Sequence, residues 1–231
     1  MKEIVVYWAC LNKEWMRAKP PVDIYKNTIK KKSSIDIALN MCPGFKDYCS
    51  NNFGIQSIFD YEFGFSGTEF YSKDYSKEFF EKNVSIRSAE DKIFSFNQYY
   101  IFFTEEKSLK FSCGIYPFLE DNNITKRCSI IPGTADIGKW FRTIDFAFVL
   151  KDEFNEFKIK EDEIFQYIKF HTNDKIKFKQ FKMNDKLSSY NDDITHAKSN
   201  RRVKMRDISE YYDMFNMKKN IIKEIKENLV E

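Results

Sequence analysis

The sequence has little glycine, little proline and almost no histidine: 7 Gly, 5 Pro and 2 His in 231 residues. His171 and His196 are the whole imidazole supply, so a histidine-built structural zinc site is poorly supported. A structural zinc site is short of ligands as well, because the cysteines at 10, 42, 49, 113 and 128 include no Cys-x-x-Cys pair. An odd, scattered set of thiols points to free cysteines in a reducing cytoplasm rather than to a disulfide framework. Runs of about 18 apolar residues are missing, which predicts no membrane span. The opening MKEIVVYW is too short an apolar run for a signal peptide. Net charge is also missing: 38 basic against 35 acidic residues leave +3, too little for a general attraction to nucleic acid. The expected location is the cytoplasm, that of the host if the chain is phage-encoded.

What the chain has in abundance is aromatic side chains, 24 Phe and 13 Tyr, enough for a thick core of large rings in a chain this long. Their spacing is that of strands. IVVYW at 4–8 is β-branched and aromatic. SIDIALNM at 34–41 alternates strictly, and TIDFAFVL puts Ile144, Phe146, Phe148 and Leu150 on one face. The run SIFDYEFGFSGTEFY suits a bent hairpin, and further strands are expected near 84–87, 92–97 and 99–104. FKIKEDEIFQYIKF and KIKFKQFKM add more. Between the early strands, FKDYCSNNFGI suits a short helix closed by Gly54 in a left-handed cap. Residues 1–183 are therefore expected to form a mainly β, antiparallel domain, a barrel or jelly roll. Residues 184–231 are expected to be a polar arm followed by one long C-terminal amphipathic helix, started by Asp207 or Ser209.

Two resemblances follow from particular motifs. The Trp-containing first strand, the CPGF turn, KIFSFNQYYIFFTEEKSLKFSCGIYPF, IPGTADIGKWFRTIDFAFVL and KIKEDEIFQYIKF together resemble a family of uncharacterised phage and bacterial proteins. That resemblance spans residues 90–181 and, more weakly, the first 65. It implies a soluble viral-type protein and brings no activity with it.

The second resemblance is to the trimeric dUTPases and dCTP deaminases, of β-clip fold. GTAD at 133–136 is similar to their G-x-x-D-x-x-Y-x-G segment, and IKEDEIFQ at 159–166 to their K-G-D-x-I-x-Q segment. It implies that Asp136 activates a water for attack on a phosphate, as a general base. Gly133, Lys139, Trp140, Arg142 and Gln166 would line the ligand, with Mg²⁺ the one cofactor, required only if a nucleotide binds. Three departures weaken it: Lys139 (or Trp140) stands where that family has tyrosine, Glu161 replaces a glycine, and LSSYNDDITHAKSN contains no glycine to close over a triphosphate.

Other constellations have plainer readings. His171, Asp174 and His196 lack the spacing of an iron-binding facial triad, so an iron-dependent oxygenase is poorly supported. Cys42 and Cys49 read as small apolar residues. Glu105-Glu106 and Glu120-Asp121 read as exposed turns, because adjacent acids on a strand face opposite ways. The lysines of 175–182 and 198–206 could reach backbone phosphates, but interleaved acids argue for solvated faces. The expectation is a non-enzymatic binding or assembly protein on a β scaffold, needing no cofactor, that could form a homo-oligomer through the C-terminal helix. The alternative is a dUTPase-like, nucleotide-binding or nucleotide-hydrolysing enzyme.

Overall fold

The first strand is buried on both faces, which explains why IVVYW carries no polar residue. In the computed structural model, which describes residues 2–11, 18–26, 41–72, 75–97, 100–113, 123–144, 146–204 and 217–230, this strand is β1 (Glu3–Cys10). The chain continues through β2 (Val22–Asp23), α1 (Pro43–Cys49), β3 (Asn52–Gln56), β4 (Tyr61–Phe65) and β5 (Phe70–Ser72). Next come α2 (Lys77–Asn83), β6 (Val84–Ser88), β7 (Ile93–Phe96), β8 (Tyr100–Thr104) and β9 (Lys110–Cys113). After α3 (Asn123–Arg127) follow β10 (Cys128–Ile130), β11 (Thr134–Asp136), β12 (Ala147–Leu150), β13 (Glu156–Ile159), β14 (Ile164–Phe170) and β15 (Lys175–Gln180). Helices α4 (Asp185–Lys204) and α5 (Lys218–Glu227) end the described chain.

The strands form four sheets, in the orders β15-β1-β8, β10-β12-β7-β6, β11-β9-β14-β3-β2 and β13-β4-β5. The fold is mainly β, as alternation predicts, but no sheet closes into a barrel. Closure requires the two edge strands of one sheet to pair, and each of these short sheets keeps its edges apart. Pairing is antiparallel except between β1 and β15, which run parallel from Glu3↔Lys175 to Trp8↔Gln180.

The main core lies between sheets. Ile4, Val6 and Trp8 of β1 point into it, with Tyr100 and Phe102 of β8 and the rings of Phe63, Phe94, Phe96, Phe148 and Phe157. The opposite face of β1 and β8 carries Tyr7, Ala9, Ile101 and Phe103, and is covered by Leu187 and Ile194 of α4 with Ile221 and Ile225 of α5.

Two local expectations need correction, and two others reach beyond the described residues. Residues 185–204 are not a loop or arm but helix α4. Among the residues whose side chains are described, its buried positions are Leu187, Asn191 and Ile194, one of them polar, so its amphipathic signal is faint. The C-terminal helix is not shown to be long; it is described from Lys218 to Glu227, and the start signals at Asp207 and Ser209 lie outside the described residues. Gly54 caps no helix. It stands within β3, where a Cβ would come 2.7 Å from Ile164 Cγ2. The left-handed residue after α1 is Asn51, at φ 53. Of the strand expected over 34–41, all but Met41 lies outside the described residues.

Candidate functional site

Asp136 ends β11 across from Lys110 of β9, beside the turn that joins β8 to β9. Both oxygens of its carboxylate are engaged there. Oδ1 accepts from the amides of Leu109 at 3.1 Å and Gly138 at 2.9 Å, and Oδ2 accepts from the Ser108 hydroxyl at 2.5 Å. The Asp136 carbonyl accepts from the amides of Lys139 and Trp140, closing the next turn. Gly138 is required for this approach: a Cβ on it would meet the Glu106 carbonyl oxygen at 2.6 Å and Ser108 Cα at 2.8 Å, both backbone atoms. The two turns are thus locked face to face, with Asp136 as the clasp.

Lys218, the first residue of α5, closes the same junction from the other side. Its ammonium donates to the Glu106 carbonyl and, at 2.7 Å, to the Gly138 carbonyl, and it lies 5.8 Å from the Phe103 ring centre. Burial pulls its pKa down, and Asp136, Glu106 and Glu105 pull it back up. Glu105 accepts from Lys226 at 2.8 Å and from the Tyr7 hydroxyl at 2.7 Å, while Glu106 pairs with Lys2 at 2.5 Å. The acid pair lies in a turn with Glu105 exposed, as expected, and there pairs with Lys226 and Lys2.

The remaining sequence-selected residues do not converge on Asp136. Arg142 places its guanidinium 5.0 Å from the Trp140 ring centre, so these two stack on each other; the Arg142 Nε is buried without a hydrogen-bond partner. The half-buried Gly133 offers its carbonyl to the Cys113 amide. Lys139 contributes its amide to the turn. Gln166 is buried on β14 at an irregularity in its pairing with β3, and its Nε2 has no partner. Asp136 faces Lys110, whose carbonyl accepts from the amide of His171. Gln166 is five positions before His171, hence about 16 Å along the strand, with β9 between it and β11.

His171 contacts the Ser112 hydroxyl at 3.0 Å, Asp174 accepts from the Lys2 amide at 3.1 Å, and His196 is exposed on α4. No group of three or more His, Cys, Asp or Glu able to hold a metal occurs among the described residues. All five cysteines are free, and burial pushes the Cys10 thiol up to about 12. Cys42 and Cys49 sit at opposite ends of α1, one exposed and one buried.

Sequence reasoning missed Ser108, Gly138 and Lys218 as partners of Asp136. The sequence signal for the two turns is limited to Gly138 itself, since the contacts join residues 28 and 80 positions apart.

The acidic anchors make the terminal helix pH-sensitive. Glu224 of α5 accepts from Lys186 at 2.6 Å and Asn184 at 2.8 Å, which holds its carboxyl below its usual 4.5. Lys226, then Tyr7, do the same for Glu105. A carboxylate depressed in the folded state stabilises above its unfolded pKa and loses that contribution as pH falls through the folded value. Hydrogen-exchange protection factors of residues 218–227, corrected for the intrinsic pH dependence of exchange, should therefore fall below pH 4.5 while those of β4 and β7 are retained. Simultaneous loss of protection in both regions would show that these carboxylates do not hold the helix.

No helix among the described residues is long and apolar enough to cross a membrane. Comparison with protein-family models, with curated proteins and with solved structures finds no match to this chain.

Proposed function

We propose that the chain is a non-enzymatic binding or assembly protein built on its β sheets, of the phage and bacterial type that residues 90–181 resemble. One observation carries this reading: both oxygens of Asp136 accept hydrogen bonds from the chain's own backbone and Ser108. A general base must hold its water within hydrogen-bond reach. Three donors from the chain itself take three of the roughly four lone-pair sites of the carboxylate and hold it against the two turns. The dUTPase-like alternative would have Gln166 and Asp136 line one ligand, and β9, which lies between their strands, opposes that.

A thermal-shift and hydrolysis screen with dUTP and dCTP, each with Mg²⁺, tests the reading. The expected result is an unchanged melting temperature and no pyrophosphate release. Nucleotide hydrolysis abolished by Asp136→Asn would overturn it in favour of the β-clip enzyme.

A further inference from the structure

Strand β15 is the outer strand of its sheet. The amides of Lys175 and Phe181 donate inward, to the carbonyls of Lys2 and Trp8 of the β1 side. Peptide groups alternate in direction along a strand, so Lys175, Lys177, Lys179 and Phe181 serve β1, and Ile176, Phe178 and Gln180 turn their peptide groups outward. The end of the chain already uses part of that outer edge. The Val230 amide donates to the Gln180 carbonyl, the Lys182 amide donates to the Asn228 carbonyl, and Phe181 pairs antiparallel with Leu229. Among the described residues no strand lies against the rest of the edge, at Ile176 and Phe178.

We propose that this open stretch of β15 accepts an extended acidic peptide as an added antiparallel strand, continuing the register that residues 228–230 begin. Main-chain pairing supplies the binding and alternate side chains the selectivity. Lys175, Lys177 and Lys179 are all exposed on one face, and only Lys177 has an ion pair among the described residues, with Glu3 at 3.4 Å. In this register an added strand places every second side chain on that face, opposite Lys177 and Lys175, where acidic residues are favoured and basic ones repelled. Its other side chains fall on the face of Phe178, which packs partly buried against the main core. The partner pattern is acidic residues alternating with β-branched ones.

Lysines along an edge also guard against pairing between like edges. Two copies of β15 would set lysine against lysine, so this edge rejects a second copy of itself and admits an acidic strand. The inference rests on the reading of the chain as a binding protein, but the two fail separately: nucleotide hydrolysis would overturn that reading and leave the edge as it is.

The test titrates the full chain into a fluorescein-labelled, capped octapeptide of alternating glutamate and valine, followed by anisotropy. Saturable binding is expected. The combined variant Lys175→Glu, Lys177→Glu and Lys179→Glu should weaken it by about tenfold or more, since each cross-strand charge pair contributes up to about 1 kcal/mol and 1.4 kcal/mol is tenfold. A peptide of identical charge, N-methylated at alternate residues on its pairing edge, should not bind, and this arm needs no variant. Equal binding of the N-methylated peptide, no binding of the parent peptide, or indifference to the charge reversal overturns the proposal. So does tighter, lysine-dependent binding of an oligodeoxythymidine, which would assign the surface to phosphate backbones.

Discussion

Phe63→Ala should lower the unfolding free energy by about 3–5 kcal/mol, the range for truncating a buried phenylalanine. The ring is 1% exposed and sits at the middle of the main core. Its centre is 4.9 Å from that of Phe157, 5.1 Å from Phe94 and 5.7 Å from Phe80, with Phe70 and Phe96 just beyond. These neighbours come from different elements, β13, β7, α2 and β5, so no local shift of one of them can fill the vacated space. The cost therefore includes a retained cavity as well as lost transfer free energy. Urea unfolding followed by tryptophan fluorescence should show a lower midpoint with an unchanged slope. For a chain of this length the melting temperature should fall by roughly 6–20 °C. A change below about 1 kcal/mol would mean that the aromatic cluster is not the centre of the fold.

The strands were legible because their cause is local. Phe146, Phe148 and Leu150 alternate in the sequence and are buried together in the structure. IVVYW has no polar face because β1 has a core on each side, and the sequence alone points only to burial. What could not be read is which strand lies beside which. The parallel pairing of β1 with β15 joins residues 172 apart, from Glu3 to Lys175, and nothing in either segment names the other. The same holds for the failure of the sheets to close. Helix α4 is not legible for a different reason: Asn191, one of its buried residues, is polar because its side chain accepts from the Thr143 amide at 3.2 Å. A buried polar residue with a distant backbone partner looks like a surface residue when only neighbours are counted.

The Asp136 region shows the same division. Its motif-like sequence singles out a carboxylate that the structure places at a junction of two turns, and suggests a proton acceptor for chemistry, because a G-x-x-D segment before a strand carries no record of what donates to the aspartate. Lys226, Lys218 and Tyr7 were invisible as anchors for the Glu105 turn, since their partners are brought together only when α5 lies on the β1–β8 face.

Asp136→Ala should cost about 2–4 kcal/mol, because it leaves two enclosed backbone donors, the amides of Leu109 and Gly138, without an acceptor, each worth about 1–3 kcal/mol. Water cannot readily replace the carboxylate, since Leu109 is 4% exposed and Gly138 is packed against the Glu106 and Lys107 carbonyls. The variant also removes the nearby negative charge that favours the protonated form of Lys218. Asp136→Asn should behave quite differently. One carboxamide oxygen can still accept from both amides, as Oδ1 does, and the carboxamide nitrogen can donate to the Ser108 hydroxyl. Its cost should stay within about 1 kcal/mol, near the net worth of one hydrogen bond. Urea unfolding of the two variants side by side makes the distinction, because a clasp is damaged by loss of its acceptor atoms and a catalytic base by loss of its charge. If Asp136→Asn destabilised the fold as much as Asp136→Ala, the charge itself, through Lys218, would be holding the two turns together, and the backbone donors would be secondary.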